Sequence, residues 1–151
     1  MPRTPTDLPP RNGSAPDGAL ARLFANPIRL LSPAVWKVPF VFASPHSGRC
    51  YPSSLLERSR LDATTLRRSE DAFVDELFAG ALALGAPLLA AEFPRAFLDA
   101  NRGISELDAA MFGGRLSVPV DAPGPRVSAG LGVIPRIVRD GAEIYRDKLN
   151  P

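Results

Sequence analysis

The stretch Val38-Pro-Phe-Val-Phe-Ala-Ser-Pro-His-Ser-Gly-Arg-Cys-Tyr-Pro52 decides how the rest of the chain reads. Its apolar run, Val38 to Ala43, predicts a buried strand that stops at Ser44-Pro45. His46, the single histidine among 151 residues, comes directly after, followed by Ser47 and Gly48. A strand ending in a Pro/Gly-rich turn sets its last polar side chains at the carboxyl edge of a sheet. In open α/β folds ligands bind at that edge. A histidine there serves as a metal ligand or a proton carrier. It serves equally as a hydrogen-bonded loop residue with no chemistry.

Working outward, residues 70–84 carry the clearest helical signal. Phe73, Val74, Leu77, Phe78, Ala81 and Leu82 recur at helical period. Ser69 offers an N-cap, Glu70 and Asp71 suit the positive end of the dipole, and Gly85 suits the C′ position. Ala86 to Phe93 then predicts a second strand. Strand, helix and strand form a βαβ unit with parallel pairing. Strands apolar throughout imply a sheet covered on both faces. Shorter helical turns are expected behind Ser53 and Asp62 as N-caps.

The second strand runs into Pro94-Arg95-Ala-Phe-Leu-Asp99-Ala-Asn101-Arg102-Gly103. Arginine grips carboxylates through two parallel hydrogen bonds, so this turn suits an anion. Alternatively Arg95 and Asp99 pair with each other. Beyond it, Ile104 to Phe112 predicts a short helix, 115–130 a loop, and Leu131 to Val138 a third strand broken by Pro135. Residues 142–149 read as the start of a helix that meets the terminus, which suggests a continuation downstream.

Before the quoted stretch, Met1 to Gly18 is Pro-rich, polar and without apolar periodicity, and should be disordered. It lacks the apolar core of a signal peptide. Residues 19–37 read as an arm lying against the domain, with a short helix at Ala19–Ala25 ended by Asn26-Pro27. Residues 38–151 form the α/β domain proper.

With 45% apolar and 23% charged residues the chain is of globular type. A net charge of only +2, with both signs interspersed, gives no footprint for nucleic acid. No run of about 18 apolar residues predicts a membrane span. Cys50 is the single cysteine, so no internal disulfide forms, and a lone thiol fits a reducing, cytoplasmic setting. Cys50 lacks a base at a recognisable spacing and reads as a small half-buried residue.

Three chemistries compete. Zinc in a hydrolytic site takes three protein ligands plus a water. His46 with Asp71 or Glu70 supplies two of them, and no second histidine exists. Serine catalysis is weaker, since Ser44 and Ser47 lack the Gly-x-Ser-x-Gly elbow. No Gly-rich phosphate loop is present.

The motifs together resemble the N-formylglutamate amidohydrolase family. They are Ser-Pro-His-Ser-Gly-Arg at 44–49 with Tyr51-Pro52, Ser-Glu-Asp at 69–71 ahead of Val-Asp-Glu-Leu-Phe at 74–78, and Gly-Ala-Pro-Leu-Leu-Ala-Ala at 85–91. Arg95 with Asp99-Ala-Asn101-Arg102, Gly132-Val-Ile-Pro-Arg136 and Ile144-Tyr145 follow in order. The resemblance implies a three-layer α/β/α fold with a mostly parallel sheet, similar to the zinc carboxypeptidases and aspartoacylase-like deacylases. It implies hydrolysis of N-formyl-L-glutamate to formate and glutamate, in histidine breakdown, with a divalent metal, zinc first, activating water. By position His46 would be a metal ligand and Asp71 the carboxylate ligand, with Glu70 the alternative. Arg95, Asn101 and Arg102 would hold the substrate carboxylates, with Asp99 orienting an arginine.

Family members are longer, and their second half brings an Asp-x-His-Ser-like segment with the remaining metal histidine and the general base. The chain is therefore expected to be the amino-terminal half of the fold, with weakly held metal and little activity alone. A second polypeptide would supply the rest. The competing expectation is a non-catalytic remnant that keeps an anion-binding pocket at Arg95 and Arg102.

Overall fold

The structure is a computed structural model, and it describes residues 18–151. The expected disordered tail lies outside the described residues, except Gly18, which opens a helix. That helix, α1, spans Gly18–Ala25 and buries Leu23. Asn26-Pro27 then turns the chain into strand β1, Ile28–Leu31. The quoted stretch contributes strand β2, Phe42–Ser44, and Leu88–Ala91 forms strand β3.

The order is β1-β3-β2. Strands β2 and β3 run parallel, from Phe42↔Leu88 to Ser44↔Ala90, as the βαβ reading requires. Strand β1 runs antiparallel to β3, from Ile28↔Ala91 to Leu31↔Leu88. The sheet is thus mixed rather than mostly parallel, and its third strand comes from the arm. The reason is local. The Pro27 carbonyl accepts from the Glu92 N–H, so the turn at Asn26-Pro27 folds the arm back along β3. The Leu131–Val138 segment does not join the sheet. Its Arg136 and Ile137 N–H groups both bond the Gly130 carbonyl, curling the chain around a glycine at φ +83°.

Four short helices follow. Helix α2 spans Ser53–Arg58 with Pro52, not Ser53, at its N-cap, because the chain is already helical at Ser53. Helix α3, Ala63–Leu66, is capped as expected by Asp62, whose carboxylate accepts from the Thr65 N–H at 2.8 Å. The predicted helix 70–84 is cut down to α4, Val74–Leu77, followed by a 3₁₀ segment, Phe78–Leu82. Glu70 and Asp71 lie before it. Phe73 sits at φ 64° and ends any continuous helix there. Helix α5, Pro125–Ser128, is a single turn inside the predicted loop.

The predicted helix 104–112 is reduced to a 3₁₀ turn, Ala109–Met111, capped by Asp108. The expected carboxyl-terminal helix is absent among the described residues. Isolated bridges pair Tyr145 with Ser59, Glu143 with Ile137 and Leu149 with Phe112. Extended backbone lets Ile144 reach the core made by Tyr51, Leu55, Leu66, Ala96 and Val138. A second cluster joins Leu107, Met111, Phe112 and Val133. No helix among the described residues is long and apolar enough to cross a membrane.

Candidate functional site

The turn after β2 is pressed against the end of β3. Cys50 donates its N–H to the Glu92 carbonyl, and a Cβ on Gly48 would run into the Phe93 carbonyl. The absence of that Cβ permits the close approach. His46 is thereby buried, 6% exposed, between the two strand ends.

Both ring nitrogens of His46 face carboxylates. Nε2 stands 2.7 Å from Oδ1 of Asp99, which is 2% exposed. Nδ1 stands 3.3 Å from Oδ2 of Asp71, whose side chain is 55% exposed. The Asp71 N–H also donates to the His46 carbonyl at 3.0 Å, which ties the two segments together through the main chain. Phe73 in the left-handed region lies two residues on, with the Arg49 guanidinium 5.2 Å from its ring centre. Left-handed backbone at a bulky residue costs energy that the surroundings must offset. Here it turns the chain from Asp71 directly into α4.

Asp99 is held from several sides. Its Oδ1 also accepts the Asn101 N–H at 2.9 Å, and its Oδ2 accepts Arg95 Nε at 3.1 Å, with Arg102 Nε at 3.8 Å. Its own N–H donates to the Val133 carbonyl. Burial pushes its carboxyl up, but the His46 bond, the Asn101 N–H and the nearby His46 and Arg95 charges outweigh it, leaving the carboxyl below its ordinary value. An ionised Asp99 only accepts, so the ring carries its proton on Nε2. Nδ1 then faces Oδ2 of Asp71, a carboxylate acceptor. Two acceptors face each other stably only with a proton or a cation between them.

That arrangement fits two positions of a metal site. Ligands about 2.0–2.1 Å from a tetrahedral zinc stand about 3.4 Å apart, close to the 3.3 Å between Nδ1 and Oδ2. A carboxylate on the far nitrogen of a ligating histidine is a recurrent supporting contact. Among the described residues no group of three or more potential ligands converges, so the remaining positions are not supplied there.

The structure divides the other expected site residues. Glu70 turns away from His46. Its buried carboxylate accepts from Tyr51 Oη at 2.7 Å and pairs with Arg67 at 3.1 Å. Arg102 donates to the Leu131 and Asn101 carbonyls and is largely committed to the scaffold. Arg95 uses Nε on Asp99, and its terminal nitrogens make no further hydrogen bond among the described residues. Asn101 is exposed beside it. Ser44 and Ser47 are buried and bond each other at 2.7 Å rather than a His46 ring nitrogen. Cys50 lies 3.9 Å from the Ala19 carbonyl of α1.

Two features escape sequence reasoning. The His46–Asp99 contact joins residues 53 positions apart, and the sequence pattern pairs Asp99 only with an arginine. Asp75, 5% exposed, accepts from both Arg29 and Arg49, so a buried carboxylate held by two part-exposed arginines closes the flank of the site. Nothing local singles it out from the other carboxylates at 70–76.

A family model described as N-formylglutamate amidohydrolase matches residues 38–151. The crystal structure of N-formylglutamate amidohydrolase from Ralstonia eutropha JMP134 is similar, with a TM-score of 0.73 and 36% identity. The match covers 82% of this chain and 43% of that one, so this chain spans less than half the length of the relative. None of the curated proteins is similar at a significant level.

Proposed function

The chain belongs to the N-formylglutamate amidohydrolase family, and from that premise we propose that it carries one side of a metal-dependent site cleaving the formyl amide of N-formyl-L-glutamate. The observation that carries this reading is one imidazole with a carboxylate at each nitrogen, one buried and one open to solvent. His46 Nδ1 and Asp71 Oδ2 would hold the ion. A divalent ion, zinc first, would polarise the amide carbonyl and acidify a water enough to attack it near neutral pH.

The chain's own residues prepare that chemistry. Asp99 keeps the proton on Nε2 and fixes the plane of the ring, leaving Nδ1 as the donor. Burial of Asp99 beneath Arg95 and the Asn101 N–H prevents it from competing for the ion. The outward nitrogens of Arg95 provide a planar fork for a carboxylate of the substrate, with the exposed Asn101 amide alongside. Arg102 supports this turn through the Leu131 carbonyl. Glu70 and Tyr51 anchor the segment that presents Asp71.

With two donors in place of the usual three, metal affinity should be low and turnover by this chain alone small. Calorimetric titration with zinc tests the reading. It predicts weak binding of one ion per chain, lost in His46→Ala and reduced in Asp71→Asn. Zinc binding by a folded His46→Ala variant equal to that of the unaltered chain would overturn it.

A further inference from the structure

The register of the sheet assigns its side chains to two faces. Leu31, Leu88 and Phe42 lie in line on one face, and Leu30, Leu89 and Ala43 on the other. The first face is closed. The Phe78 ring packs 5.5 Å from that of Phe42, Ala81 is buried beneath the sheet, and Asp75 reaches Arg29. Among the described residues the second face is open. Ile28 is 51% exposed, Leu30 58% and Val41, two residues before Ala43, 61%. Ala43 is exposed as well, and Leu89 is only partly buried.

Five apolar side chains, four on the three strands and Val41 just before β2, thus form one continuous surface in water. Singly exposed apolar residues are ordinary, but a contiguous patch marks an interface. Strands apolar on both faces belong to sheets covered on both sides. The end strand β2 adds an unpaired outer edge among the described residues, with Phe40 exposed beside it.

We propose that this face is the seat of the polypeptide equivalent to the part of the amidohydrolase fold that the chain does not span. The lengths argue for that occupant. The chain aligns over 82% of its own residues with a solved relative, yet accounts for only 43% of that relative. More than half of that relative lies outside the match, while one apolar sheet face is open among the described residues. Among the described residues no third donor stands beside the His46–Asp71 pair, a position that this part of the fold would fill. The inference rests on family membership and not on the reaction, so its failure is distinguishable from a failure of the proposed chemistry.

The test co-expresses the full chain with the portion of the Ralstonia eutropha enzyme that has no counterpart in it, and measures the mass of the purified species by light scattering. A one-to-one complex is expected. The double variant Leu30→Lys, Val41→Lys should weaken it about 100-fold, because each lysine would have to be desolvated in the contact. Both positions are exposed in the chain itself, so the variant should keep the circular dichroism of the unaltered chain. Ile104→Lys, at a position 88% exposed away from the sheet, should leave binding unchanged. No complex with the unaltered chain would overturn the proposal. So would a complex indifferent to the double variant, or a dimer of the chain with itself that the double variant disperses.

Discussion

Asp99 does more for the site than any other single side chain. It is nearly fully buried and joins His46, Arg95 and the Asn101 N–H at one carboxylate. Removing it leaves an imidazole and an arginine without their acceptor in a desolvated place. Asp99→Ala should therefore destabilise the fold by on the order of 3 kcal/mol, read from chemical denaturation. Asp99→Asn keeps the shape but weakens the support of the His46 ring. Where it folds, its zinc affinity should fall about 10–100-fold by calorimetry. Unchanged affinity in folded Asp99→Asn would remove Asp99 from the site. The sequence made His46 legible, because one histidine after an apolar run has few readings. It could not decide between Glu70 and Asp71, which are adjacent. The turn direction decided, sending Glu70 to Tyr51 and Arg67 and Asp71 to His46. It also could not reveal the partner of His46 across 53 residues, since no local pattern links them.

Among the elements, those set by strong local signals were legible. Helix α1 ends at Asn26-Pro27, Asp62 caps α3, and β3 lies within its predicted apolar run. Of the run Val38–Ala43 only Phe42 and Ala43 join β2, which extends to Ser44, while Phe40 and Val41 are exposed. The predicted helix 70–84 failed at its amino end because the site competes for the same residues. Asp71 bonds the His46 main chain, and Phe73 takes a left-handed conformation before α4 begins. Apolar periodicity also misplaced the buried face, since Phe73, Leu77 and Phe78 are exposed and Asp75 is the buried residue of α4. The segment 142–149 failed differently. Its helical composition yielded to tertiary pairing, which buries Ile144 completely. Ile144→Ala should cost about 2–5 kcal/mol in chemical denaturation. A helix starting at that point would have left the residue half exposed and the substitution nearly neutral.

At the scale of the whole molecule, the βαβ unit was legible but the mixed sheet was not, since the arm carries no pattern that announces an antiparallel strand. The two tyrosines report on the core that unites these parts. Burial pushes the Tyr145 phenol up to about 12, with Arg58 working against it. Burial raises Tyr51 further still, helped by its bond to Glu70 and opposed by Arg67. In the unfolded chain both ionise near 10. Above pH 10 the unfolded state therefore releases protons that the native state keeps, and stability falls as pH rises from about 10 towards 12. Below pH 10 this contribution is fully present. Ultraviolet titration should show almost no phenolate in the folded chain at about pH 10, against roughly half ionisation when unfolded.

Hydrolysis of N-formyl-L-glutamate with added zinc bears most directly on the account. It should be measured for the chain alone, for the chain joined by the uncovered portion of the Ralstonia eutropha fold, and for the His46→Ala version of that complex. The account predicts little turnover alone, clear turnover in the complex, and none above background after His46→Ala. Turnover by the chain alone at the rate of the relative, or an active complex that ignores the loss of His46, would contradict it.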